Sequence, residues 1–189
     1  MARWQPNASE RLAVAALELF AERGYEDTTV IDIAQRAGLT KSTFFRHFQD
    51  KREVLFGTGT MNGLLDAAIA AAPATATPFE AVAYALDAVG RAAFTPARRE
   101  IVARRRAVIA ANPELREREA LKGLSLTASM ADALRRRGVP DLSASVTAEL
   151  AALAWKVAYE RWSDPASGDD FGDIARQALS DVQAASALR

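Results

Sequence analysis

The sequence has no cysteine, which removes disulfides, cysteine-ligated metals and thiol nucleophiles and suits a reducing cytosol. Its one histidine, His47, cannot supply a histidine-rich metal site. No run of apolar residues reaches bilayer-spanning length; the alanine-rich piece from Leu64 to Ala72 is too short. The opening "MARWQPNASE" lacks the apolar core of a secretory leader. There is no Asn-Gly or Asp-Gly hairpin turn and no convincing alternating strand. Phosphate-binding glycine loops, nucleophile elbows and metal clusters are missing too. These absences point to a soluble, cytoplasmic, all-helical protein without cofactor, metal or membrane partner, and they leave no catalytic residue to assign. Net charge is also missing: 24 basic residues balance 24 acidic ones. A structural DNA-coating protein, which depends on many phosphate contacts, fits that neutrality poorly.

What is present is a hydrophobic half (50%) of a chain of 189 residues, enough for one domain or a small one fused to a larger one. Proline punctuates it. Pro73, Pro78, Pro96, Pro113, Pro140 and Pro165 each fall between stretches of helical periodicity. Cap residues precede three of them, in Thr77-Pro78, Thr95-Pro96 and Asn112-Pro113, and Glu80 completes a capping box with Thr77. Asn7 with Glu10, Asp50 with Glu53 and, in a weaker form, Thr29 with Asp32 have the same spacing. Gly24, Gly38 and Gly138 stand where left-handed helix ends are expected. The spacing predicts about nine helices, over 8–23, 30–37, 41–47, 51–72, 78–93, 96–110, 113–137, 142–163 and 170–187.

The second and third of these are short, and only Gly38, Leu39 and Thr40 separate them, which is the mark of a helix-turn-helix. Val30, Ile33, Ala34 and Ala37 form an inward stripe that Leu39, Phe44 and Phe48 continue, and Leu19 and Phe20 complete a three-helix core. Lys41, Ser42, Phe45 and Arg46 fall on the opposite side of the third helix. Lysine, arginine and serine can reach base edges or phosphates, and Phe45 can pack on a thymine methyl or a sugar. His47, Lys51 and the next helix's N-terminal amides are candidates for phosphate. From Arg36 to Arg52 the bases Arg36, Lys41, Arg46, Lys51 and Arg52 face only Asp50. The bland alternative is a solvated face of a plain three-helix bundle, with His47 packing or capping.

"TTVIDIAQRAGLTKSTFFRHFQDKREVLF", Thr28 to Phe56, with "ALELFAERGYEDTT" before it, resembles the DNA-binding domain of the TetR family of transcriptional regulators. The likeness covers roughly the first third of the chain; the rest resembles the family only in helix count and size. It implies an all-α homodimer with a helix-turn-helix domain over residues 1–50 and a larger ligand-binding and dimerisation domain over 51–189. It also implies a palindromic double-stranded operator and a small-molecule effector that weakens DNA binding. Carried over by position, Lys41, Ser42 and Arg46 would contact bases, and Thr29, Thr40, Thr43, Phe45, His47 and Lys51 phosphate or sugar. The family often has a tyrosine at the place of Phe45, with its hydroxyl on a phosphate; phenylalanine cannot make that bond. Arg3 is a candidate for the minor groove.

Beyond the reading head three features admit two readings each. "ARREIVARRRAV", Ala97 to Val108, is a second nucleic-acid surface or, with "ELRERE" following, a salt-bridged helix. Met130, Trp155 and Tyr159 are candidates for a ligand pocket or for core. Val146, Leu150, Ala151, Ala154, Val157 and Ala158, with Ile174, Ala178, Leu179 and Val182, form a dimer face or intrachain core. A two-fold dimer would match two half-sites about one DNA turn apart.

Overall fold

The computed structural model describes residues 8–57, 60–164 and 166–186. Every regular element among them is helical. Helix α1 is Ala8–Arg23, α2 Val30–Arg36, α3 Lys41–His47 and α4 Glu53–Phe56. They are followed by α5 (Thr60–Ala71), α6 (Pro78–Ala93), a 3₁₀ turn (Pro96–Arg98), α7 (Arg99–Ala111), α8 (Pro113–Arg136), α9 (Asp141–Trp162) and α10 (Phe171–Ser186).

The ends follow from local chemistry. Thr29 starts α2 with a full capping box: its hydroxyl accepts from the Asp32 amide at 3.2 Å, and the Asp32 carboxylate accepts from the Thr29 amide at 2.9 Å. The box of Thr77 and Glu80 starts α6, with Pro78 at the first helical position. The Asp50 carboxylate accepts from the Glu53 amide at 3.0 Å. Asn7, the cap expected with Glu10, lies outside the described residues. The helix expected over 51–72 is interrupted: α4 closes on Gly57, whose φ of 65° takes the backbone out of the helical region before α5 begins. The helix expected from residue 96 opens instead as the 3₁₀ turn behind Pro96.

The chain divides into two compact units. The first takes in residues 1–59 together with 104–119. Its core is Leu12, Ala16, Leu19 and Phe20 of α1, Ile33 and Ala34 of α2, Phe44 and Phe48, Val54 and Leu55, closed by Ile109 and Leu115. Polar ties fasten the 104–119 segment to α4. The Arg105 guanidinium donates to the Leu55 carbonyl at 2.5 Å and lies 5.1 Å from the Phe56 ring centre, and Arg118 pairs with Glu53. Burial, and then a hydrogen bond with Glu114, push the Tyr25 hydroxyl pKa well up.

The second unit comprises residues 60–103 and 120–189. Leu65 and Ile69, Val82 and Leu86, and Met130 and Leu134 share one buried core with Ala144, Ala148, Ala151, Ala154 and Ala158 of α9. Small residues let helices approach closely. A Cβ on Gly90 of α6 would stand 3.1 Å from the Gly172 amide nitrogen of α10. Ala151, Ala154, Ala158, Ile174, Ala178 and Leu179 are all buried within this unit, so intrachain core is the role they take. Leu150, Val157 and Val182 are half-buried, and Val146 is exposed.

Candidate nucleic-acid interface

Helix α3 is held by its inner face and its ends. Phe44 is fully buried and Phe48 nearly so, and their rings pack 5.5 Å apart. Thr40 caps the helix: its hydroxyl accepts from the Thr43 amide at 3.1 Å and shares a 3.0 Å hydrogen bond with the Thr43 hydroxyl. The turn before it depends on Gly38, whose φ is 65°. A Cβ there would also come within 3.1 Å of Arg11 Nη2, and Arg11 donates to the Ala37 carbonyl at 2.5 Å, so α1 fastens the end of α2. Arg11 has no signal in the sequence pattern that would have singled it out for this role.

The cations around α3 divide sharply. The Arg36 guanidinium is forked onto Glu22 at 2.7 and 2.6 Å and reaches Glu18 at 3.3 Å. That pairing holds the exposed Glu22 carboxyl below the ordinary carboxylate range. Arg52 is forked onto Asp50. Lys51 turns inward: its ammonium donates to the Tyr25 carbonyl at 2.6 Å and the Glu26 carbonyl at 3.4 Å, and sits 4.0 Å from the Tyr25 ring centre. Lys41 and Arg46, by contrast, are exposed and form no ion pair with a described residue. Lys41 lies 5.9 Å from the centre of the Phe45 ring.

The structure therefore gathers Lys41, Ser42, Phe45 and Arg46 on one exposed face, with Thr43 and His47 half-buried beside them. Thr29 and Thr40 are exposed at the N-termini of α2 and α3 while serving as caps. His47 Nε2 is buried without a hydrogen-bond partner among the described residues. Arg3 lies outside the described residues.

In the second unit, Met130 is fully buried core. Trp155 and Tyr159 stand edge-on to Phe94, with ring centres 5.4 and 6.1 Å away, in a cluster where Phe94 stacks on Phe171 at 4.0 Å. None of the three lines the open apolar groove of about 290 Å³ between α5 and α6, which is formed by Leu64, Ala67, Ala68, Ala71, Tyr84, Ala88 and Val89. The basic run of α7 is drawn into contacts. Arg99 donates to the Asp169 carbonyl at 2.7 Å and lies over Trp162, and Arg105, besides its hold on α4, pairs with Glu119 at 3.5 Å. Among the described residues no His, Cys, Asp and Glu gather as a metal site.

Residues 12–57 match the family described as bacterial regulatory proteins, tetR family. The chain is 41% identical over 81 residues to the HTH-type transcriptional regulator TcmR of Streptomyces glaucescens, covering 42% of this chain and 36% of that protein. The matched stretch thus spans little more than a third of that relative. In solved structures, the fold resembles a TetR family transcriptional repressor, FadR of Thermus thermophilus, crystallised in complex with lauroyl-CoA. That likeness has a TM-score of 0.57 at 24% identity over 96% of both chains. It also resembles SmeT in its triclosan complex, with a TM-score of 0.63 at 19% identity over 95% of this chain and 91% of that one. At these identities the structural likeness speaks for the fold.

Proposed function

Taking as premise that this chain is a member of the TetR family of transcriptional regulators, we propose that it is a sequence-specific regulator of the simplest kind, a repressor. As a homodimer in the cytoplasm it binds a palindromic operator, and a small, largely apolar ligand releases it. The observation that carries the DNA-binding role is the outer face of α3. Its two cations form no ion pair with a described residue, while Arg36, Lys51 and Arg52 are engaged within the protein. A solvated bundle surface gains from pairing its cations with nearby acids; a surface that meets phosphates and base edges keeps them available.

The proposed roles follow position. Arg46, Lys41 and Ser42 contact base edges. Thr40, Thr43 and Phe45 pack along the backbone or sugar, and Thr29, His47 and Lys51 approach phosphate. Lys51 would have to leave the Tyr25 carbonyl to do so. Reading belongs to residues 1–50, and effector binding and dimerisation to residues 51–189. Two copies of α3, roughly 34 Å apart, would enter successive major grooves. A ligand that binds best when the two heads are wrongly spaced shifts the population off DNA. FadR and SmeT are described with lauroyl-CoA and triclosan, both with large apolar parts, which supports a ligand of that character here. Met130, Trp155 and Tyr159 remain the pocket residues proposed for it, although Met130 would have to give up core packing.

Selection of bound sequences from random duplex DNA by the purified protein, at two salt concentrations, tests this reading. A two-fold symmetric motif enriched at both salts is expected. Binding without sequence preference that vanishes as salt rises would instead describe a structural DNA-coating protein.

A further inference from the structure

Phe45 is the anomaly of the interface. The residue is 49% exposed in the middle of a polar, cationic face, although its neighbour Phe44 on the same helix is fully buried. The ring is not loose. Phe44 meets it edge-on, with centres 5.6 Å apart and planes at 79°, and the Lys41 ammonium lies on its face side at 5.9 Å. About half of the residue, 49%, is left to water. The ring has no atom that can donate or accept a hydrogen bond. The residues flanking it on the outer face, Lys41, Ser42 and Arg46, are donors suited to the oxygen and nitrogen edges of bases. In the major groove the one apolar group that projects from an unmodified base pair is the C5-methyl of thymine.

We infer that Phe45 selects thymine by burying that methyl group against its exposed side chain, and so fixes one A·T pair in each half-site. The inference rests on the proposed DNA-binding role of α3 and gives Phe45 a base in place of the backbone contact. Lys41 has a double part: its ammonium steadies the ring and stays available to the adjacent phosphate or base. The exposed area that would be unfavourable in the free protein becomes covered only when the correct base stands opposite.

The experiment uses the operator obtained by selection. Each thymine is replaced in turn, symmetrically in both half-sites, by deoxyuridine, which lacks the methyl and keeps every hydrogen-bonding group. Affinity is measured for the parent protein, Phe45→Ala and Phe45→Leu. One methyl withdrawn from an apolar contact should weaken binding about fourfold per half-site at one thymine position. That penalty should vanish in Phe45→Ala and persist in part in Phe45→Leu, which keeps an apolar tip. Circular dichroism confirms that the variants fold; an exposed ring makes both substitutions mild, and Phe45→Leu still reports if the alanine variant unfolds. An operator tolerant of deoxyuridine at every position overturns the inference while leaving the DNA-binding reading intact. The same holds for a thymine penalty that is unchanged in Phe45→Ala, which would place the ring on a sugar. Failure to select any symmetric sequence overturns both.

Discussion

Arg46 and Lys51 are both basic and only five positions apart, yet the structure gives them opposite surroundings. Arg46 is exposed and unpaired among the described residues, so Arg46→Ala should leave the fold intact and relax preference at one operator position. A cost of about 1–3 kcal/mol at that position alone is expected, read by titrating operators with single base changes. Lys51→Ala removes two carbonyl contacts and a ring contact at Tyr25. It should lower unfolding free energy by roughly 1–2 kcal/mol in a denaturant titration, besides any uniform loss of affinity across DNA sequences. The outward direction of Lys41, Ser42 and Arg46 was legible from the 3.6-residue period, which fixes what shares a face with buried Phe44 and Phe48. The inward turn of Lys51 was not. Its partners lie 25 and 26 residues away, and no local pattern encodes which cation finds a distant carbonyl.

Among the elements, α2 and its turn into α3 carry the sharpest constraints. Gly38→Ala puts a Cβ at φ 65° and 3.1 Å from Arg11 Nη2, at an expected cost of about 1–2 kcal/mol. Thermal unfolding of the variant checks it. The capping box makes stability depend on acid. Hydrogen bonds from the Thr29 hydroxyl and then its amide hold the Asp32 carboxyl below the usual range. Stabilisation from this depressed group is present above the unfolded-state value and is lost as pH falls through the folded one. Denaturant titrations between neutral and strongly acid pH should show that loss, reduced in Asp32→Asn. Caps and glycine turns are local chemistry, so these helix ends were visible in the sequence. The interruption at Gly57 has no mark in the apolar spacing, which continues on either side as if one helix ran through. The fastening of residues 104–119 to α4 by Arg105 and Arg118 was invisible, since it joins positions 50 and 65 apart. The same distance hid the fate of the α7 arginines, whose composition alone equally suits a nucleic-acid surface.

At the scale of the whole molecule, the apolar periodicity of α9 divides between two faces. Its alanines are spent on the core, while Leu142, Val146 and Leu153, spaced to share a face, remain exposed. The apolar side of α10 is buried within the chain. If the protein dimerises as proposed, the exposed α9 face is the part of this pair with apolar surface left to offer. Val146→Glu with Leu153→Glu should give a folded monomer by analytical ultracentrifugation, with operator affinity reduced at least tenfold, the effect of losing about 1.4 kcal/mol or more of binding energy. The sequence pattern named this helix but could not say which stripe faced inward, because valine, leucine and alanine on all sides suit core and interface alike.

The most direct measurement of the central claim is a titration of the selected palindrome against a scrambled duplex of the same length and composition, at low and physiological salt, with parent protein, Arg46→Ala and Lys41→Ala. The account predicts that the parent prefers the palindrome at both salts, with binding to both duplexes falling as salt rises, and that Arg46→Ala narrows the gap between them. Equal affinity for the two duplexes, or a preference untouched by Arg46→Ala and by Lys41→Ala, would contradict the assignment of the α3 outer face as the surface that reads DNA.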